Sequence, residues 1–174
     1  PLDRREVRHA LSMAVDRDRL IANGEFANAS PAYSLVPPAV NARYKPPRAP
    51  YAPIAYADRL TIAGALLLDI DRSTPLPLRL AIPKGTHHRG IAQHLVQVWS
   101  GLGFRIDVVA RDAAHHQAAL LAGDFDLAVA VDAPRDIWSF LAPFSQAAPV
   151  WNLGRYSEAS FDDAFAGADL ESDP

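Results

Sequence analysis

Between residues 76 and 131 the apolar residues switch from strand-like alternation to helical intervals and back, twice over, and no other feature narrows the fold as far. Leu76, Leu78, Leu80 and Ile82 alternate with other residues, the repeat of a strand with one buried face. Over 89–102 the apolar positions Ile91, Leu95, Val98 and Leu102 share one helical face, and Gly101 and Gly103 break the helix. Phe104, Ile106 and Val108 alternate again, 113–122 read as a second helix stopped by Gly123-Asp124, and 125–131 are almost continuously apolar. A run of that last kind predicts a strand covered on both faces. The unit is therefore β-α-β-α-β. Right-handed crossovers make its parallel parts one sheet with helices on the faces, and the last strand is free to run either way.

The chain ahead of this unit has a different character. Asp3 and Glu6 stand in the spacing of a capping box, and Val7, Ala10, Leu11, Ala14 and Val15 follow at helical intervals, which predicts an amphipathic helix. Asp16 is placed to cap a second short turn through Arg19, Leu20 and Ile21, ended by Asn23-Gly24. Residues 27–53 then hold Pro31, Pro37, Pro38, Pro46, Pro47, Pro50 and Pro53. Proline has a fixed φ and no N–H, so neither helix nor interior strand survives there, and the segment must cross a surface in extended form. From 56 to 68 the chain turns helical, with Leu60, Ala63, Leu67 and Ile70 as a buried stripe and Gly64 as its weak point. Beyond the sheet unit, 136–144 and 157–168 are further helix candidates. The expected layout is a single α/β lobe over 1–174: a helical start (1–24), an extended Pro-rich arm (25–55), and the sheet unit with its trailing helices (56–174).

Composition narrows function mostly by exclusion. A chain of 174 residues, 49% hydrophobic, can bury one core but has no room for a second full domain. A formal net charge of −3 with 21% charged residues provides no basic field for nucleic acid or anionic lipid. The absence of cysteine rules out disulfides, thiolate metal sites and thiol catalysis. The chain opens on Pro1 without a basic-then-apolar leader, holds no apolar run near the roughly 20 residues of a membrane span, and closes on Glu171-Ser172-Asp173-Pro174. It reads as an internal piece whose parent's export signal, if there is one, lies upstream. No G-x-S-x-G elbow, H-E-x-x-H, G-x-x-x-x-G-K or G-x-G-x-x-G is present, and Gly101-Leu102-Gly103 ends a helix instead of opening one. The expectation is a protein without catalytic residues or cofactor. The six histidines include the adjacent pairs His87-His88 and His115-His116. Adjacent side chains on a helix diverge by about 100°, so neither pair makes a metal site alone. Lys84 with His87 or His88 forms either an anion-attracting turn or a solvated loop.

Three stretches, in order, carry a resemblance. The first is Val7-Arg8-His9-Ala10-Leu11-Ser12-Met13-Ala14-Val15-Asp16-Arg17, against V-R-x-A-L-x-x-A-I-D-R. The second is Ser30-Pro31-Ala32-Tyr33-Ser34-Leu35-Val36-Pro37-Pro38, and the third joins Gly101-Leu102-Gly103-Phe104-Arg105-Ile106-Asp107-Val108 to Leu121-Ala122-Gly123-Asp124-Phe125-Asp126-Leu127. Together they resemble the family 5 bacterial extracellular solute-binding proteins, which include oligopeptide, dipeptide and nickel binders. The resemblance covers nearly the whole chain and implies the C-terminal lobe of a two-lobe periplasmic-binding-protein-like fold, a mixed β-sheet flanked by helices with the Pro-rich arm packed across it. It implies the substrate-binding component of an ABC importer, holding a peptide or similar small solute between this lobe and a missing N-terminal lobe. It also implies permease subunits as partners, a periplasmic or cell-envelope location and a monomer. Peptides, sugars, opines, metal chelates and haem all fall within the family's range. The alternative is a ligand-sensing domain of a transcription regulator; a hydrolase is a third reading, which needs a nucleophile and a base within reach of each other.

The same resemblance locates the candidate site. Peptide-binding relatives carry G-W-x-A-D-Y-x-x-P-x-x-F-L after the strand corresponding to 125–131, and its aspartate pairs with the peptide α-amino group. Here the segment reads Val129-Ala130-Val131-Asp132-Ala133-Pro134-Arg135-Asp136-Ile137-Trp138-Ser139-Phe140-Leu141. Anchored on Phe140-Leu141, the aspartate position falls on Ala133, Asp132 stands one residue early, and the Gly-Trp pair is missing. Either a one-residue deletion lets Asp132 take the role, or this lobe holds no α-amino group. Strand ends of α/β sheets place ligand contacts, which favours Asp132 as a partner for an ammonium; capping the helix toward Trp138 is its other reading, and Asp136 has the same two. The candidate ligand-binding residues are Asp132, Ala133, Pro134, Arg135 and Trp138, with Tyr33 and Ser34 of the arm, beside Leu35, at the lobe edge. Trp138 and Trp151 serve as flat walls or as core, and Arg135 grips a carboxylate or lies solvated.

Overall fold

β1 (Leu76–Pro83) is the centre of a three-stranded sheet of order β2-β1-β3, with β2 (Phe104–Arg111) on one side and β3 (Leu127–Ala128) on the other, all parallel. The computed structural model describes residues 1–22, 29–37, 40, 45–130, 136–149 and 152–170, the side chains of 169 and 170 excepted. Helix α4 (Thr86–Ser100) joins β1 to β2 and α5 (Ala113–Ala122) joins β2 to β3. The expected β-α-β-α-β unit is therefore present, and its last strand runs parallel to the others.

The alternation in β1 sends Leu78, Leu80 and Ile82 to one face, where with Phe104 they meet Ala92, Leu95 and Trp99 of α4. Two N-terminal helices close this core: α1 (Arg5–Met13) through Val7, Ala10 and Leu11, and α3 (Tyr56–Leu66) through Ala63 and the following Leu67. The expected stripe of α3 is borne out, since Leu60 and Ile70 also pack against the core. The crossover from β2 to β3 runs in the opposite sense to that from β1 to β2, so a connection of the same hand carries α5 to the other face. None of the buried α5 residues, His116, Ala119 and Leu120, joins the main core.

The last strand departs from expectation. Instead of a run over 125–131 buried on both faces, pairing is confined to Leu127 and Ala128, both half-buried, and Val131 lies outside the described residues. The reason lies in the neighbouring strand. In a parallel ladder alternate residues turn their backbone groups to the same side, and here Arg79, Ala81 and Pro83 face β3. Asp126 donates its N–H to the Arg79 carbonyl (3.1 Å) and Val129 to that of Ala81 (2.9 Å). The next donor in the series would be the nitrogen of Pro83, which carries no hydrogen. At the near end the Arg79 N–H goes to Asp126 Oδ2 (2.7 Å), a side chain, in place of a strand carbonyl. Gly123 stops α5 as expected, in the left-handed region at φ 71°. Asp124 then bridges both neighbouring strands, to Arg79 (2.6 Å) and to Arg111 (2.7 Å).

The start of the chain also differs. No capping box forms: α1 begins at Arg5, its N-cap is Arg4, and no side chain caps it. Asp3 thereby falls one residue too early to cap, and the Arg8 guanidinium instead ties down the Leu2 and Asp3 carbonyls (2.8 Å each). The other end of α1 is closed by three side chains, Trp99 on the Leu11 carbonyl (2.9 Å), Arg17 on that of Ser12 (3.1 Å) and Tyr56 on that of Ala14 (3.1 Å). These supply partners that the last turn of a helix lacks. Asp16 caps α2 (Arg17–Ala22) through the Arg19 N–H, as its position predicts; Asn23-Gly24 lie outside the described residues.

The described parts of the arm, 29–37 and 45–55, hold neither helix nor strand and pack on this N-terminal corner. Ala49 donates its N–H to the Tyr33 carbonyl (2.6 Å), which joins the two parts, and the Tyr51 hydroxyl meets Ser12 Oγ (2.6 Å). After the sheet come α6 (Ile137–Leu141), a 3-10 turn (Ala142–Phe144) and α7 (Ala159–Leu170), close to the two expected helices. They share a ladder of rings, Trp138–Phe165–Phe161–Tyr156–Phe144, with successive centroids 4.8–6.1 Å apart. No member of that ladder belongs to the main core. Among the described residues no helix is long and apolar enough to cross a membrane.

One buried titratable group links α4 to the start of α2. His94 is 8% exposed, and its Nε2 accepts the Asp16 N–H (3.2 Å). Burial disfavours its imidazolium and lowers its pKa, against a weaker opposite pull from the Asp16 carboxylate. The unfolded histidine titrates near 6.5, above the folded one, so its contribution is complete above about pH 6.5 and is lost as pH falls further. The urea midpoint should therefore drop between about pH 7.5 and about pH 5, and His94→Gln should flatten that part of the profile.

Candidate functional site at the carboxyl edge

The order β2-β1-β3 contains one topological switch. The chain leaves β1 for one side and later returns to the other, so α4 and α5 depart on opposite faces, and the carboxyl ends of β1 and β3 form the kind of switch point beside which α/β sheets bind ligands. Three described segments stand at this edge: Lys84 and Gly85 with the first turn of α4, Asp112 with the first turn of α5, and Val129-Ala130 after β3.

Each has its own local logic. Gly85 adopts φ 148°, a region that L side chains rarely enter, and a Cβ there would stand 3.2 Å from His88 Nδ1. Among the described residues no side chain caps α4, and its own first turn holds no acidic residue, so its N–H groups and the positive end of its dipole stand at this edge. Asp112 caps α5, accepting the His115 N–H (3.0 Å) and the ring Nδ1 (2.8 Å). Those bonds, the backbone one foremost, hold its carboxyl below the usual range.

His115 thus faces outward while His116 turns inward. His116 is 6% exposed and donates its Nε2–H to the Val129 carbonyl (2.9 Å), leaving a buried Nδ1 without a partner among the described residues. The two rings diverge as adjacent helix residues must, and among the described residues no three or more of His, Asp and Glu gather as a metal site would require.

Of the residues singled out by sequence, Asp132, Ala133, Pro134 and Arg135 lie outside the described residues, as does Trp151. Asp136 acts as the helix cap that was one of its two readings. It accepts the Ser139 N–H and Oγ–H (2.7 Å each), with Oγ–H the larger influence holding its carboxyl below the usual range. Trp138 stands on α6, 37% exposed, its ring edge-on to Phe165. Tyr33 is engaged by the N-terminal corner. Its hydroxyl donates to Asp18 (3.2 Å), and the guanidinium groups of Arg17, Arg59 and Arg48 lie 5.1, 5.5 and 5.6 Å from its ring centre. Ser34 Oγ donates to the Val36 carbonyl (2.9 Å). No hydrogen bond or ring contact among the described residues brings Tyr33 or Ser34 to Trp138.

Sequence reasoning weighed His116 only as half of an adjacent pair and gave it no contact with the strand end. The available signal was Pro83 at the end of an alternating strand, which predicts an unpaired carbonyl on one neighbour. It does not say which strand that neighbour is.

No curated protein matches the chain, but solved structures do. The murein tripeptide binding protein MppA of Escherichia coli superposes with a TM-score of 0.86 at 24% identity, over 98% of this chain and 34% of that one. OppA of Burkholderia pseudomallei gives 0.87 at 23%, over 99% and 35%. OppA of Haemophilus influenzae, in complex with RPPGFSPFR, gives 0.85 at 20%, again over 99% and 35%. The chain therefore spans about a third of the length of these proteins, and at such identities the likeness is one of fold: a sheet with flanking helices, here parallel throughout its described strands where a mixed one was expected, as in a periplasmic-binding-protein-like lobe. The match in sequence is of another kind: the model for the middle part of the bacterial extracellular solute-binding proteins, family 5, covers residues 1–151, and the chain belongs to that family.

Proposed function

We propose that residues 1–174 form one lobe of the substrate-binding component of an ABC importer, and that the whole protein takes up a peptide or a similar small solute between this lobe and a second one. The observation that carries this reading is the topological switch between β1 and β3, on a lobe of a family of binding proteins. Two of the similar structures point to peptide, one named for a murein tripeptide and one holding RPPGFSPFR. The protein works outside the cytoplasm as a monomer and delivers its ligand to membrane permease subunits. Asp132 meets the ligand's ammonium group, with Ala133, Pro134 and Arg135 beside it and Trp138 as a wall; Tyr33 and Ser34 contribute through the arm's backbone.

A thermal-shift screen of the full-length protein against di- to pentapeptides, amino-acid derivatives, oligosaccharides and nickel chelates tests this. A peptide at about a hundred times its Kd should stabilise the protein by about 2.7 kcal/mol, and Asp132→Ala should remove most of that gain. A full response in the variant would make Asp132 a cap. Silence from every peptide, with a response to another class, would overturn the peptide reading.

A further inference from the structure

We infer that His116 is a positioning residue for ligand binding, standing in for the hydrogen bond that Pro83 cannot make. The inference rests on the carboxyl edge of β1 and β3 being the ligand-binding edge, as proposed above. Parallel pairing between these strands proceeds through Val129 N–H to the Ala81 carbonyl (2.9 Å), and its next bond would run from residue 83 to the Val129 carbonyl. Residue 83 is proline, so the ladder offers that carbonyl nothing. The His116 Nε2–H reaches it instead, at 2.9 Å, from the opposite layer of the fold.

The choice of side chain supports this reading. His116 is 6% exposed and its Nδ1 has no partner among the described residues. A phenylalanine or leucine there would fill space without burying an orphaned polar atom, so packing does not explain an imidazole. The Val129 bond does explain it. The base of the reach is itself secured, because His115 locks the Asp112 cap one residue earlier. The Val129 carbonyl, just past the last paired residue Ala128, is thus fixed from α5 and not from β1, and the ring sets where the strand stands as it reaches this edge.

The test uses the full-length protein with trialanine as the probe, followed by calorimetry, and backbone hydrogen exchange without any peptide. His116→Phe keeps the volume and removes the donor; His116→Gln keeps an N–H at similar reach. The expected result is an unfolding midpoint in His116→Phe close to that of the unaltered protein. Affinity for trialanine should fall about tenfold or more, with faster exchange at Ala130, and recover in His116→Gln. Unchanged affinity in His116→Phe, or equal loss in both variants, overturns the proposal. If the unaltered protein does not bind trialanine, the peptide reading fails by itself, and exchange at Ala130 decides for or against His116. Nitrogen NMR shifts give a check that needs no variant: the neutral ring must carry its proton on Nε2, and a proton on Nδ1 overturns the assignment.

Discussion

Replacing Trp99 by alanine should remove about 3–5 kcal/mol of stability, the largest loss expected from any single substitution described here. The indole is 6% exposed within the core between α4, α1 and the sheet, and its Nε1–H closes the Leu11 carbonyl near the end of α1 (2.9 Å). Truncation opens a cavity and leaves that carbonyl unpaired in a dry setting. Domains of this size are stable by about 5–15 kcal/mol, so the variant should sit near its unfolding threshold at ambient temperature. Trp99→Phe separates the two contributions. It keeps most of the ring burial and loses the bond, so it should cost about 1–3 kcal/mol. Urea denaturation of both variants checks this; equal losses would mean that the hydrogen bond alone carries the effect.

Asn152→Ala is expected to act over a shorter range. Asn152 is 8% exposed, and its amide holds Tyr156 at both backbone groups, accepting the N–H (2.8 Å) and donating to the carbonyl (2.7 Å). Without it those groups lose their partners, at a cost of about 2–3 kcal/mol. Tyr156 is a rung of the aromatic ladder that ties α7 to α6 and the 3-10 turn, and the ladder stands apart from the main core. Hydrogen exchange should therefore quicken through Ala159–Leu170 while the amides of β1 keep their protection. Equal acceleration in β1 would show that the C-terminal helices and the sheet unfold as one unit.

The parts of the fold legible in the sequence are those governed by one element's own spacing. Leu76, Leu78, Leu80 and Ile82 specify a strand with one buried face whichever strand lies beside it, and β1 and α3 follow their patterns closely. Elements that depend on a neighbour's chemistry escaped. Among the described residues of the apolar run over 125–131 only two pair, because Pro83 ends the ladder from the adjacent strand. The capping box at Asp3 and Glu6 failed because the helix starts one residue later than the box requires, with Arg8 holding the preceding carbonyls.

The site divides in the same way. Asp136 as a cap was readable from local spacing, whereas the contact of His116 with Val129 joins residues that only the fold brings together. Asp132, Ala133, Pro134 and Arg135 remain part of the proposal for ligand binding, argued from the edge they belong to in sequence.

The proline that ends the ladder also bears on how such a lobe diversifies. Where strand pairing fades gradually, adding or removing a residue in the following loop can slide the strand and turn its side chains to the wrong face. Here pairing halts at a fixed point in the neighbouring strand, and a ring from α5 holds the carbonyl beyond it. Residues can be gained or lost past that point while Leu127 and Ala128 stay in register with Leu80 and Ala81. A change of length between Ala128 and Asp136 is the kind that such an arrangement absorbs, so that selection can rework the loop beyond the strand without renegotiating the sheet.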